Sequence, residues 1–317
     1  MFPSQWRTTS QRGSAFHRAR RVASVCLALG LAAAACDRRR APEQDAAAGA
    51  VRAVDDFGDS VAFTAPARRV VSLNPVTTEL IFALGAGDRL VGRTHWDNHP
   101  EAARLVADVG NGMMPNVEAV LGQRPDLVIL YASESNRTAV AQLAAAGVRT
   151  MTFRTDHVSD LARVTPVIAA ALGVSDAGSV VVDSVLASLA SVRALPAPAK
   201  RVRAFWHVWD APLMTIGNGS YLSELLVAAG GENVFGDLEN PSPQVTLEEI
   251  ARRDPDVILV GPNSAATLRA HPGWAAVRAV REGRVLVVDT MLVGRPGVRM
   301  GEAARHLRQL LYPGAAQ

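Results

Sequence analysis

Lysine is almost missing from this chain: of 33 basic residues only Lys200 is a lysine, and the rest are arginine. With alanine so abundant, that bias reads as genome composition rather than phosphate recognition. Cysteine is equally scarce, with Cys26 and Cys36 the only two and both in the first 36 residues. The rest of the chain therefore holds no internal disulfide and no thiolate metal site. Catalytic signatures are missing too. There is no Gly-x-Ser-x-Gly elbow, no phosphate loop ending Gly-Lys-Ser/Thr and no His-Glu-x-x-His pair. The glycines of Gly85 to Gly92 follow a helical pattern rather than a strand, which suits a helix cap and turn, not a dinucleotide fingerprint. Nothing in these residues argues for an enzyme. Acid is absent from residues 1–36, which carry five arginines; the remaining 28 basic and 30 acidic residues nearly balance. The small excess of positive charge thus belongs to the first segment, and no nucleic-acid partner is expected.

What is present begins with that segment. Arg18, Arg20 and Arg21 precede an uncharged run from Val22 to Ala35. A basic start, a short apolar stretch and small residues before a cut describe a secretion signal over residues 1–36. Ala33-Ala-Ala-Cys36 is similar to a bacterial lipobox, which makes Cys36 the lipidation site; conventional cleavage with a free Cys36 is the other reading. Asp37 to Ala50 is polar and lacks a periodic face, so residues 37–50 are expected to form a flexible tether. No stretch beyond the leader is expected to be long and apolar enough to span a membrane.

The body, at 49% hydrophobic residues, can bury a core. Short apolar strands alternate with helical stretches: Arg69 to Leu73, then a helix to Leu84; Arg124 to Tyr131, then a helix from Ser135 to Ala146; then Gly147 to Phe153. Such alternation predicts βαβ units and mostly parallel sheet. Val117 to Leu130 matches Leu247 to Val260 at an offset of 130, each reading as a helix with a Glu near its start, a Pro-Asp turn and an apolar strand. That period marks a duplicated domain rather than a solenoid. Between the halves, apolar residues at 181, 182, 185, 186, 189 and 192 have helical spacing. The expectation is an α/β protein of two Rossmann-like lobes, residues 51–174 and 196–317, joined by one long helix over 175–195.

Aromatic and polar residues cluster just past the strand ends: His95, Trp96, Asp97 and His99; Tyr131; Trp206, His207 and Trp209; and Arg295. In open α/β sheets ligands bind outside the carboxyl ends of strands. No two histidines stand at i, i+4, so polar loop roles suit them better than metal ligation.

These residues resemble the periplasmic substrate-binding proteins of bacterial ABC importers for cobalamin, ferric siderophores and haem. The pieces that carry the resemblance are Arg69 to Glu79, Leu90 to Pro100, Pro125-Asp126, Gly230 to Phe235, Pro243 to Thr246 and Arg295 to Arg299, and they run through nearly the whole body. The resemblance implies a cleft that opens and closes little, with Pro75, Trp96, Tyr131, Trp206, Trp209, Ser242 and Arg295 at the ligand. Gly112 and Ser242 stand where the cobalamin-binding members carry tryptophan. It also implies that Glu118 and Glu248, one per lobe, dock on an ABC permease dimer that works with its ATPase. The expected cargo is a bulky metal chelate, first a cobalt corrinoid, with no cofactor held permanently. A haem receptor would recruit His95, His99, His207 or Tyr131 as axial ligand, and an anionic siderophore would use Arg93, Arg295 and Arg299. From another class, an exported sensor or enzyme stays open. The expected protein is an exported monomer on the periplasmic or cell-surface side, held to a membrane by its lipid anchor alone.

Overall fold

The computed structural model describes residues 51–314, so the leader, Cys36 and the tether over 37–50 lie outside the described residues. β1 (Val51–Val54) and β2 (Ser60–Phe63) pair antiparallel. β3 (Val70–Ser72), β4 (Leu90–Gly92), β5 (Leu127–Tyr131) and β6 (Arg149–Phe153) then form a parallel sheet in the order β4-β3-β5-β6. In the second half β7 (Arg203–Trp206) is followed by a small hairpin of β8 (Trp209–Asp210) and β9 (Leu213–Met214). With β10 (Glu232–Asn233), β11 (Val257–Val260) and β12 (Val285–Val287), β7 makes a second parallel sheet in the order β10-β7-β11-β12. Counted from its own first strand, each sheet runs 2-1-3-4. The duplication read at an offset of 130 is therefore a duplication of topology.

It extends to single hydrogen bonds. Asp126 accepts from the backbone N–H groups of Arg68 and Arg69 at the start of β3, and Asp256 accepts from that of Arg203 at the start of β7. The Arg69 guanidinium bonds the carbonyls of Gln123 and Arg124, and that of Arg203 bonds those of Arg253 and Asp254. Arg124 and Asp254, also 130 apart, are the two non-glycine residues at positive φ among the described residues, 49° and 45°. Both close a short helix in the left-handed region, and the Pro-Asp turn that follows aims the chain into a central strand.

Both sheets are covered on both faces, as parallel sheets require. Val70, Leu127, Ile129, Ala204, Trp206, Val257 and Leu259 point into a central core shared by the lobes. Their alternates pack outward, Val71, Val128 and Leu130 in the first lobe and Phe205, Ile258 and Val260 in the second. The helix Ser175–Arg193 joins the halves, about 28 Å at 1.5 Å per residue. It packs on the helices Asp160–Ala171 and Met300–Leu311, burying Val185, Leu189 and Val192. Gly301 makes that crossing possible, since a Cβ there would collide with Ser188. By length and composition alone this helix would pass for a membrane span, at mean hydropathy 1.3, which corrects the expectation that no such stretch exists beyond the leader. Its buried stripe is spent on neighbouring helices.

Candidate functional site

In a 2-1-3-4 sheet the chain reverses direction between the first and third strands, and the loops leaving their carboxyl ends part to leave a crevice. Here those loops start after β3 and β5 in one lobe and after β7 and β11 in the other. At the first, Asn74 caps the helix Pro75–Ala83: its side-chain oxygen accepts from the Val76 N–H at 2.9 Å, and Pro75 sits where the helix needs no donor. The Asn74 amide reaches on to the Thr155 hydroxyl after β6. Sequence-local capping thus places Asn74, Pro75 and Thr155 on one wall.

Three adjoining chambers make up the cleft. An apolar one of about 340 Å³ is lined by Pro75, Trp96, Met113, Tyr131, Arg295 and Pro296, among others. A second of about 490 Å³ shares Tyr131, Thr155 and Pro296 and adds Asp156, His157, Ser220 and Ser242. A third, about 410 Å³, is lined by Val208, Trp209, Asp210 and Pro262 and meets the first at Thr290. Of the residues expected at the ligand, Pro75, Trp96, Tyr131, Trp209, Ser242 and Arg295 line these chambers. Trp206 does not. Its place in β7 turns it into the central core with 3% of its surface exposed, so strand alternation, not the cleft, decides its direction. Gly112 lines the first chamber, but a Cβ on it would run into the Leu73 carbonyl, so the position takes glycine for close backbone approach.

Arg295 is not a free guanidinium. It donates to Glu79 at 2.9 Å and to the Trp96 carbonyl, while Arg299 donates to both oxygens of Glu79 at 3.0 Å. The Glu79 side chain is 1% exposed. This carboxylate of the first lobe, held by two arginines of the second, ties the lobes together behind the cleft. The Trp96 loop is anchored beside it. Asp97 is buried and accepts from the Thr78 and Thr94 hydroxyls at 2.6 Å each and from the Thr94 N–H. Burial raises its pKa against the pull of those bonds and of nearby Arg295. Trp96, half exposed, therefore stands on an anchored loop with the His95 ring tilted against it, centroids 4.7 Å apart. Arg93 is likewise committed, to Asp108 at 3.3 Å.

Tyr131 ends β5 and donates its hydroxyl to Asp156 at 2.7 Å. Burial, followed by that bond, pushes its pKa up to about 12. His207 is buried and bonded to Asp210 at 2.9 Å. His95 and His99 are exposed and line none of the three chambers. Among the described residues no cluster of three metal-ligating side chains occurs.

A second tie crosses the cleft edge, where His157 meets Glu224 at 2.8 Å. The carboxylate raises the His157 pKa, with burial acting weakly against it. A raised histidine pKa stabilises fully below its ordinary value near 6.5 and loses that contribution as pH rises through the folded value. The pair is solvent-screened, so His157→Ala is expected to cost only ~0.2–1 kcal/mol at about pH 5.5 and nothing at about pH 8.5. Urea denaturation at the two pH values checks this; an equal loss at both would mean packing, not charge.

Glu118 and Glu248 lie on the outer surface, in the first turns of the helices Val117–Gly122 and Leu247–Arg253. Asn116 and Thr246 cap these helices in the same way, so each lobe presents one exposed carboxylate at an equivalent place. A backbone bond and Thr246 lower the Glu248 pKa.

Sequence reading passed over Glu79 and Asp156 as site residues. For Glu79 a signal existed: a carboxylate followed by the apolar run from Leu80 to Leu84 faces a core and needs a cationic partner. For Asp156 no local pattern pointed to Tyr131.

Two α/β lobes around one cleft, with its polar groups spent on holding the walls, define a solute receptor rather than a catalyst. The sequence profile described as periplasmic binding protein matches residues 70–291. The chain belongs to the periplasmic binding protein family, one of binding proteins and not of enzymes. The Vitamin B12-binding protein of Vibrio cholerae serotype O1 is 27% identical over 243 residues, 76% of this chain and 88% of that one. An uncharacterized ABC transporter substrate-binding lipoprotein of Bacillus subtilis strain 168, YvrC, is 30% identical over 254 residues, 78% of this chain and 80% of that one. The structure of the periplasmic heme-binding protein RhuT from Roseiflexus sp. RS-1 superimposes with a TM-score of 0.71 at 26% identity, covering 78% of this chain and 99% of that one.

Proposed function

We propose that this chain captures a corrinoid in the cleft between its lobes and delivers it to an ABC permease. The observation that carries the reading is the first chamber, where Trp96 and Tyr131 offer aromatic surface beside Pro75 and Pro296 and the Tyr131 hydroxyl is already engaged by Asp156. A planar macrocycle that brings its own metal ligands needs area and shape from its receptor rather than coordination. The haem reading is disfavoured by His95 and His99, which line none of the chambers, and by His207, buried against Asp210; the siderophore reading is disfavoured by the ion-paired Arg93, Arg295 and Arg299. The Vitamin B12-binding relative supports the same choice.

The test is tryptophan fluorescence of the purified protein titrated with cyanocobalamin, haemin and a set of ferric siderophores, corrected for inner-filter absorption. Saturable quenching by cobalamin is expected, and Trp96→Ala should weaken it about tenfold through loss of aromatic contact, roughly 1.4 kcal/mol. A shifted Soret band with haemin, without a cobalamin response, would overturn the reading.

Delivery would use Glu118 and Glu248 as docking points, one for each half of a two-fold permease. Alanine at both should leave ligand binding intact and abolish uptake; uptake at the parental rate would exclude this docking. Cys36 would carry the lipid that keeps the receptor near its permease, a role the lipoprotein relative supports.

A further inference from the structure

We infer that Glu79 sets the charge specificity of the cleft: by occupying the donors of Arg295 and Arg299 it leaves the chambers without an uncommitted cation, so they select metal chelates rimmed by neutral or cationic groups over chelates rimmed by carboxylates. The inference rests on the corrinoid reading above and names the periphery that the ligand must have.

The charges facing the three chambers are few. Arg295 lines the first, Asp156 and His157 the second and Asp210 the third. Arg295 is 8% exposed, with its donors turned to Glu79 and the Trp96 carbonyl. Arg299 is spent on Glu79 and the Met291 carbonyl. Asp97, on the Trp96 loop beside them, is spent on the Thr78 and Thr94 hydroxyls. His157 is matched by Glu224. Arg154 is near enough to Tyr131 to act on it electrostatically but lines no chamber. Against this, the Asp156 carboxylate bonds the neutral Tyr131 hydroxyl and that of Asp210 bonds His207.

A ligand carboxylate would thus face Asp156 and Asp210. To pair with Arg295 it would have to break bonds to Glu79 and strand a buried carboxylate, the costly way to open an ion pair. An amide rim meets no such barrier. Its N–H groups suit the Asp156 carboxylate, and its carbonyls suit hydroxyl and amide donors such as Thr155 and Asn111.

The test keeps the ring constant and changes only the rim. Purified protein is titrated with cyanocobalamin and cyanocobinamide, both amide-rimmed, and with the heptacarboxylate of cobyrinic acid. The heptacarboxylate is expected to bind at least about 100-fold more weakly, with the gap shrinking as salt is raised. In Glu79→Gln the ratio of dissociation constants should fall about tenfold or more, because the two guanidiniums lose their counter-charge. Should that variant fail to fold, Asp156→Asn removes a cleft charge without touching the buried triad and should narrow the ratio several-fold. A loss of packing would weaken all three ligands together and leave the ratio unchanged. Equal binding of amide and carboxylate corrinoids overturns the charge inference while the corrinoid reading stands. Binding of haemin with no response to either amide corrinoid overturns both.

Discussion

Glu79→Ala is expected to destabilise the folded chain by about 3–5 kcal/mol, since removing one member of a buried ion cluster leaves the rest uncompensated. Glu79 contributes both oxygens to three bonds from Arg295 and Arg299, and its side chain is 1% exposed. Alanine would leave two guanidiniums facing each other behind the cleft. For a body of this size the loss corresponds to a fall in Tm on the order of 10 °C. It should also release the lobes, because this cluster and His157–Glu224 are ion pairs joining them. Thermal melts and urea titrations measure the effect, with Glu79→Gln as the milder control. A loss below about 1 kcal/mol would mean that water enters the site and rescues the arginines.

Gly112→Trp is expected to fail as a repair of the cleft wall and to cost about 3 kcal/mol or more, at the severe end of overpacking. The family resemblance implies an aromatic there, yet in this chain the glycine lies against the Leu73 carbonyl and the Thr94 methyl. Its own carbonyl accepts from Asn136, which also bonds the Tyr131 carbonyl. Any side chain would push the loop from β3 and disturb the residue that ends β5. Ser242→Trp is the contrast: Ser242 is exposed at the second chamber, and tryptophan there should change stability by no more than about 0.5 kcal/mol. Denaturation of both variants decides the matter; a stable Gly112→Trp with tighter cobalamin binding would show that the loop yields.

Charge chemistry makes the cleft's recognition depend on what is not free. Arg93, Arg295 and Arg299 suit an anionic ligand as residue types, and each is already answered by a carboxylate. Whether an arginine recognises a ligand or braces a wall depends on a partner that is distant in the chain: Glu79 and Arg295 are 216 residues apart. That separation hides the pair from any local pattern.

Tyr131 and Trp209 reached the cleft as their positions past strand ends suggested, whereas Trp206 did not. Trp206 is the last residue of β7, and Trp209 belongs to the hairpin that follows. Three residues along the chain separate a core side chain from a cleft side chain. The alternation of β7 was readable, but which of its faces met the shared core was not.

The alternation of strands and helices, the duplication at 130 residues, the joining helix and the equivalent places of Glu118 and Glu248 were legible along the chain. These follow from periodicity, caps and turns, which act over a few residues. The packing of distant segments settled the rest: Glu79 answers both arginines, Tyr131 donates to Asp156, and Gly112 has no room for a side chain. Those outcomes depend on burial and on partners brought together by the packing of two lobes, where desolvation sets the cost of leaving a charge or a polar group alone.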